Sequence, residues 1–217
     1  MYTLYGTQGS GSAAVEAALE LAGQRYRLVQ AASWEPGPGL DALALLNPLK
    51  QIPTLQLPDG TVMSESAAIL IHLGQQHPNA GLLPETPTEQ AQALRGLVYI
   101  AANCYAAIGL IDYPERWCEP PGSLQNEALR QGARLRLHQY WALFADQFHR
   151  ADSGQRFLQG QSPAALDLLA CVVSRWSGSR EFLLRERPHL HALLLRVEQH
   201  PRLAAVFERH WPTVQAA

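Results

Sequence analysis

The chain has 217 residues, of which 47% are hydrophobic, and its formal net charge is -2 at pH 7. This length fits one large domain or two small ones, and the composition is sufficient for a substantial buried core. A near-neutral balance offers no basic face to nucleic acid or to an acidic membrane, so we expect neither as a partner.

The cysteines and the first residues indicate the compartment. Cys104, Cys118 and Cys171 are widely spaced and include no Cys-x-x-Cys pair, which argues against a disulfide framework and against a zinc site. We therefore expect a cytoplasmic protein without a bound metal. No charged leader precedes an apolar segment at the start, and no run approaches membrane-spanning length, which predicts a soluble, unprocessed chain.

The first third of the chain alternates short strands with helices. Hydrophobic periodicity predicts strands at residues 3–5 and 26–29 and helices at residues 13–22 and 40–46. Gly23 ends the first helix, because glycine readily adopts the left-handed conformation that follows a helix. This βαβα opening favours an α/β fold.

A hairpin and a third helix follow. The Asp59-Gly60 pair favours a tight turn, since both residues tolerate positive φ, so residues 54–57 and 61–63 are predicted to pair antiparallel. Ser64 is predicted to cap a helix whose apolar run spans residues 67–73. The resulting order βαβαββα suits a four-stranded, thioredoxin-like sheet covered by three helices.

The remaining sequence is predicted to be helical. Three prolines and a glycine between His77 and Pro87 mark a linker, so we predict domains at residues 1–77 and 88–217 joined by residues 78–87. The second domain is predicted to be an all-α bundle. Its helices are expected at residues 88–111, 123–150, 162–177, 189–200 and 202–210.

Two motifs carry a resemblance to a known family. The strand entry Gln51-Ile52-Pro53, the helix start Glu65-Ser66 and the two-part plan together resemble a soluble glutathione transferase of bacterial type. The resemblance covers essentially the whole chain and is strongest from Asn47 to Leu73. It implies glutathione as co-substrate, a thioredoxin-like amino-terminal domain and a helical carboxy-terminal domain.

The resemblance also implies a set of glutathione contacts. The Ile52-Pro53 bond is expected to be cis, which leaves the main chain of Ile52 free to pair with the cysteinyl unit of glutathione. Ser66 and the helix N-terminus are expected to hold the γ-glutamyl carboxylate, with Glu65 facing the ammonium group of that residue. Lys50 and Gln51 are expected near the glycyl end.

The residue that activates the thiol has three candidates. Tyr5-Gly6 followed by Ser10 looks like the opening of serine-type transferases, provided that one residue of the usual spacing is missing between Ser10 and Val15. On this comparison Ser10 is the predicted catalytic residue. An ungapped comparison instead places Tyr5 at the tyrosine-type position and Gly11 where cysteine-type enzymes keep their thiol. Ser12 is the third candidate, and helix capping explains either serine equally well.

The pocket for an electrophile is implied between the domains. Asn103, Tyr105 and Ile108 lie within about a turn of each other on the first long helix of the second domain, and Trp176 is a further candidate. Packing in a helix bundle accounts for such residues as well. Asp167 is predicted to be structural, with Ser162 and Pro163 as the start of its helix.

The predicted function is conjugation of glutathione to small hydrophobic electrophiles, with a role in detoxification. Two alternatives stay open, a glutathione-dependent disulfide reductase or peroxidase and a transferase-like module that binds other proteins without turnover. The resemblance implies a homodimer in which the helix at residues 64–77 contacts the second domain of the other subunit.

Overall fold

The computed structural model describes residues 1–118, 122–149 and 154–212. Residues 1–76 form an α/β unit whose strands and helices follow the predicted order. In chain order the elements are β1 (Tyr2–Gly6), α1 (Ser12–Leu21), β2 (Tyr26–Gln30), α2 (Pro38–Leu46), β3 (Thr54–Gln56), β4 (Val62–Met63) and α3 (Ser66–Gln76).

The four strands form one sheet in the order β2-β1-β3-β4. β1 is parallel to β2 and antiparallel to β3, which pairs antiparallel with β4. The predicted hairpin is confirmed: Gly60 has φ 93°, and the Asp59 carboxylate accepts a hydrogen bond from the Thr61 N–H at 2.9 Å. Both strands are shorter than predicted, because Leu57 and Thr61 close the turn.

Alternation along β1 assigns its side chains to two faces of the sheet. Leu4 packs in the main core with Leu19 of α1 and Leu70 of α3. Tyr5 lies in a second, smaller cluster with Leu43 of α2. The sheet is therefore covered by α1 and α3 on one face and by α2 on the other, which is the predicted thioredoxin-like arrangement.

The described residues beyond 80 are mostly helical, as predicted. A π-helical segment at Ile100–Tyr105 joins the first two helices of this part, and the helix at Ser179–Glu186 falls where no helix was predicted. The helices are α4 (Pro87–Tyr99), α5 (Ala106–Asp112), α6 (Ser123–Phe148), α7 (Ala165–Val173), α8 (Ser179–Glu186), α9 (Pro188–Glu198) and α10 (Ala204–His210). The division at residues 78–87 stays a prediction.

The stretch Pro87–Asp112 corrects one sequence expectation. Its 26 residues are long and apolar enough to cross a membrane by length and composition, whereas no such run was predicted. Leu97, Ile100 and Cys104 of this stretch are completely buried in the core of the protein. By length and composition a core helix passes the same test, and 39% of the apolar window is buried inside the structure.

The start of α7 is a second correction. The helix begins at Ala165 with Ala164 as its N-cap residue, so the predicted start at Ser162 and Pro163 is wrong. The Asp167 carboxylate accepts hydrogen bonds from the Ala164 N–H at 3.0 Å and from the Leu158 N–H at 2.8 Å. This completely buried acid thus fixes both the helix start and the preceding loop, which agrees with the structural role predicted for it.

The carboxy-terminal helix is attached to α1. Arg202 donates to the carbonyl oxygens of Glu20 and Leu21 at 2.7 and 2.9 Å, which satisfies acceptors at the C-terminus of α1. His210 of α10 hydrogen-bonds Glu16 of α1 at 2.8 Å. Through these contacts the helical part holds the element whose start lines the functional site.

Candidate functional site

A cleft of about 620 Å³ lies between the α/β part and the helical part. Six segments form its walls: the start of α1, the loop after β2, the turn into β3, the start of α3, the region from the π-helical segment to Trp117, and Trp176 after α7. The lining residues are Gly9, Ser10, Gly11, Ser33, Trp34, Gln51, Ile52, Pro53, Glu65, Ser66, Ala67, Ala101, Tyr105, Ala106, Ile108, Gly109, Asp112, Tyr113, Arg116, Trp117 and Trp176.

The turn into β3 brings backbone groups to the cleft. The Ile52–Pro53 bond is cis, as predicted. The ladder between β1 and β3 ends at the pair of Tyr5 and Thr54, so Ile52 lies just beyond the paired part of the sheet. A main chain in this position is available to an extended peptide that adds alongside it.

Asn47 fixes this turn, a role that the sequence reasoning missed. Its side-chain amide donates to the Gln51 carbonyl at 3.2 Å and to the Thr54 hydroxyl at 3.0 Å. Its amide oxygen accepts the N–H of Leu49 at 3.1 Å. The signal available in the sequence was the Asn-Pro pair, which indicates a turn without showing what the amide holds.

The start of α3 differs from the prediction in its cap. Glu65, not Ser64, is the N-cap residue, and it adopts φ 65° without a capping side-chain hydrogen bond. A positive φ is uncommon outside glycine, and such backbone often occurs at functional sites. Ser66 is buried at the first turn, while Glu65 is exposed at the cleft. The amino end of α3 is therefore directed at the cleft with its N–H groups free of a side-chain cap.

The two candidate serines bond mainly to each other and to the loop before α1. The Ser10 hydroxyl donates to the Thr7 carbonyl at 2.7 Å and lies 2.8 Å from the Ser12 hydroxyl. Ser12 is completely buried, does not line the cleft, and also lies within 3.3 Å of the Thr7 carbonyl. Ser10 lines the cleft, but both hydroxyl protons have acceptors within the protein.

Tyr5 is placed away from the site. Its side chain packs with Ala31 and Leu43 beneath α2 and does not line the cleft. Lys50 is also outside the lining; it is exposed on the loop before the turn, with φ 53°. Gln51 does line the cleft, next to Ile52.

The predicted electrophile residues separate into two groups. Tyr105, Ile108 and Trp176 line the cleft, and the rings of Tyr105 and Trp176 lie 5.7 Å apart. Asn103 does not line it, because its amide donates back to the Tyr99 carbonyl at 3.0 Å. Burial, with a contribution from the charge of Glu65, raises the pKa of Tyr105.

Sequence reasoning missed a group of aromatic residues at the mouth of the cleft. Trp34 and Trp117 are 60% and 67% exposed, and the Arg116 guanidinium lies 3.9 Å from the centre of the Tyr113 ring. The run Asp-Tyr-Pro-Glu-Arg-Trp after the first helix of the second part was a signal for this wall. Only the fold brings Trp34 to the same cleft.

Few residues in the described part of the chain are placed to support redox or metal chemistry in the cleft. The three cysteines are free, and none of them lines the cleft. Burial raises the pKa of the Cys104 thiol. No group of three His, Cys, Asp or Glu residues within residues 1–118, 122–149 and 154–212 is arranged to hold a metal ion.

These features define a class of protein: a thioredoxin-like unit with a cis-proline turn, joined to a helical bundle, with a cleft between them. The profile of the family described as "Glutathione S-transferase, N-terminal domain" matches residues 12–76. A GST-like protein of Escherichia coli K12, YncG, itself described as uncharacterized, is 29% identical over 97% of this chain and 98% of its own length.

Solved structures agree with this match. A glutathione transferase homologue from Sulfitobacter, with bound glutathione, has a TM-score of 0.81 at 25% identity, covering 95% of this chain and 96% of its own. A glutathione transferase from Methylococcus capsulatus has a TM-score of 0.76 at 27% identity, covering 97% of this chain and 98% of its own. Residues 12–76 therefore match a glutathione S-transferase N-terminal domain, and the chain is similar along nearly its whole length to bacterial proteins of that family.

Proposed function

We propose that this protein is a glutathione transferase that binds glutathione in the cleft and activates its thiol for attack on small hydrophobic electrophiles. The observation that carries the proposal is the convergence of three features on one cleft. These are the main chain of Ile52 beside the cis Pro53, the amino end of α3 with Glu65, and the amino end of α1.

The cleft offers a partner for each part of the tripeptide. The main chain of Ile52 pairs with the cysteinyl unit as an added strand, and Gln51 contacts the glycyl end, with the exposed Lys50 nearby. The first N–H groups of α3 and the Ser66 hydroxyl hold the γ-glutamyl carboxylate, because a helix N-terminus favours an anion. Glu65 pairs with the ammonium group of the same residue.

The other wall of the cleft supports a hydrophobic second substrate. Tyr105, Ile108 and Trp176 lie on the inner side and Trp34 and Trp117 at the mouth. Aromatic side chains provide large apolar surface for a planar or aliphatic electrophile. The Sulfitobacter homologue has bound glutathione, which supports glutathione as the ligand proposed for this protein.

Calorimetry with glutathione tests the binding half of the proposal. Glu65→Gln removes the carboxylate charge while it keeps the size of the side chain, and we expect glutathione affinity to fall about 10- to 100-fold, since a hydrogen bond to a charged group contributes about 1.5–3 kcal/mol. Glu85→Gln, an exposed acid outside the cleft lining, is the matched control and should bind as the unaltered protein does. Equal affinities for the two variants would contradict the proposed glutathione site.

Turnover assays separate conjugation from the alternatives. Conjugation of a chloronitrobenzene should be measured beside glutathione-dependent reduction of a small disulfide. We expect conjugation to dominate, because no cysteine lines the cleft to form a mixed disulfide. Glutathione binding without either reaction would favour a binding module over an enzyme.

We further propose a cytoplasmic homodimer that acts in detoxification. The free cysteines suit a reducing compartment. The proposed contact is α3 of one subunit against the helical part of the other, with Ala68 on the exposed side of that helix. Sedimentation equilibrium tests the dimer, and a charged substitution, Ala68→Asp, should shift it toward monomer. A monomeric unaltered protein would contradict this arrangement.

A further inference from the structure

Tyr105 has a hydroxyl group that opens to the cleft and has no hydrogen-bond partner among the described residues. It is the last residue of the π-helical segment Ile100–Tyr105, between α4 and α5. π-helical turns are rare, widen the helix locally and often occur at functional sites. This segment directs the Tyr105 side chain from the helical part toward the α/β part, where it lines the cleft.

The position of the hydroxyl group is defined by Gly11 at the start of α1. A β-carbon added to Gly11 would overlap the Tyr105 hydroxyl oxygen, and it would lie 3.3 Å from Cζ of Tyr105 and 3.5 Å from Cδ of Pro53. The phenol therefore occupies the space that a side chain at residue 11 would fill, directly beside the cis proline. Gly11 has φ -61°, an ordinary helical value that any residue adopts, so its backbone does not require glycine. The close approach of Tyr105 does.

Other hydroxyl groups near this point are already engaged. The Ser10 hydroxyl donates to the Thr7 carbonyl, and Ser12 lies within hydrogen-bond distance of the same carbonyl and of Ser10. The Tyr5 side chain packs beneath α2. The Tyr105 hydroxyl oxygen thus lies between Pro53 and the amino end of α1 with its proton available to a ligand, which none of the three candidates from the sequence offers.

We infer that Tyr105, not Ser10, donates the hydrogen bond that stabilises the glutathione thiolate. This inference deepens the proposed function and rests on it: a cysteinyl unit paired with the main chain of Ile52 places its sulfur near Pro53 and Gly11. The Tyr105 O–H then donates to the sulfur, and the helix N-terminus adds favourable electrostatics. The tyrosine reaches the sulfur from the helical part, so both parts of the chain build the reactive centre.

The reaction balances with Tyr105 as a donor that keeps its proton. The thiol releases its proton to solvent, and the thiolate attacks the carbon of the electrophile that bears a leaving group such as chloride. The carbon–sulfur bond forms, the carbon–chlorine bond breaks, and chloride departs with the bonding pair. Since burial and the charge of Glu65 raise the pKa of Tyr105, the phenol remains neutral while the sulfur carries the negative charge.

Tyr105→Phe tests the donor directly, because it removes the hydroxyl oxygen and keeps the ring against Trp176. We expect the conjugation rate at neutral pH to fall about 10- to 100-fold, as for the loss of a hydrogen bond to a charged group. The thiolate absorbance of bound glutathione, titrated against pH, should shift to higher pH by about one to two units. Tyr140→Phe is the matched control, because Tyr140 lies on α6 outside the cleft lining, and it should change neither quantity.

Gly11→Ala gives an independent test of the geometry. The added methyl group should displace the Tyr105 hydroxyl and reduce the rate by a similar factor. In a protein that already carries Tyr105→Phe, Gly11→Ala should lower the conjugation rate little further, because the phenylalanine ring lacks the oxygen atom that the methyl group overlaps. Strongly non-additive effects support the inference, whereas independent effects of the two substitutions would contradict it.

The remaining outcomes also decide the question. If the unaltered protein binds glutathione and Tyr105→Phe leaves the thiolate titration in place, the inference fails while the proposed function stands. A slower rate with an unchanged titration likewise overturns it, since Tyr105 would then act on the electrophile. If Ser10→Ala moves the titration and Tyr105→Phe does not, the serine is the donor. Absence of glutathione binding by the unaltered protein would overturn both proposals.

Discussion

Replacement of Glu16 by glutamine should weaken the attachment of the carboxy-terminal helix and make the protein less dependent on pH. Glu16 lies on α1 and its side chain is 3% exposed. Its carboxylate hydrogen-bonds His210 at 2.8 Å and accepts from Arg209 at 2.6 Å and from Tyr26 at 2.8 Å. Burial by itself would raise the pKa of Glu16, but these three hydrogen bonds outweigh it and lower the pKa to about 2.

The size of the effect follows from this pKa. A lowering from 4.5 to about 2 corresponds to about 3 kcal/mol of unfolding free energy, at about 1.36 kcal/mol for each pKa unit. Because the folded pKa lies below the unfolded one, this contribution is complete above about pH 4.5 and is lost as the pH falls toward about 2. By about pH 3, roughly 2 kcal/mol of it should be gone.

Urea unfolding of the unaltered protein and of Glu16→Gln between about pH 7 and pH 3 measures this contribution. At neutral pH the variant should be less stable by up to about 3 kcal/mol, and the difference should narrow on acidification. Glu20→Gln is the matched control, because Glu20 lies one turn along α1 and also hydrogen-bonds Tyr26. Its unfolding free energy should change with pH in the same way as that of the unaltered protein. A difference in unfolding free energy between Glu16→Gln and the unaltered protein that stays constant with pH would refute the reasoning.

The contact between α10 and α1 also extends to the cleft, and it supports a prediction about glutathione binding. Two further substitutions test the packing of the fold. His210→Ala should lower glutathione affinity measured by calorimetry, because the Gly9 N–H beside the cleft donates to His210 Nδ1 at 3.2 Å; unchanged affinity would show that this loop holds its shape alone. Asp167→Ala should cost about 2–4 kcal/mol in urea unfolding, since it leaves two buried N–H groups without acceptors, and a cost below about 1 kcal/mol would contradict that role. Gly74→Ala should cost about 1–3 kcal/mol, because a β-carbon there would lie 2.5 Å from Cγ of Leu83, and a neutral result would mean that Leu83 moves freely.

Local sequence rules predicted much of the fold because they act between neighbours. The Asp59-Gly60 turn requires positive φ, which Gly60 adopts, and Gly23 ends α1 with φ 64°. The cis bond before Pro53 and the site around Glu65 came from the family resemblance, whose motifs are contiguous in the chain. At the start of α7 the local rules failed. Asp167 caps this helix through the N–H of Ala164, and it also accepts the N–H of Leu158 in the loop, nine residues before it.

The sequence by itself determined the order of strands and helices in the first 76 residues, the hairpin, and the motifs at Ile52-Pro53 and Glu65-Ser66. Hydrogen bonding within turns and periodic burial depend on residues a few positions apart. Only the tertiary structure decided which hydroxyl group lies beside Gly11 and Pro53 in the cleft. Ser10 and Ser12 were candidates because they precede a helix, yet their protons have acceptors in the same loop. Tyr105 reaches Gly11 across the two parts of the chain, and that contact exists only once the core between α1 and the helical bundle has formed.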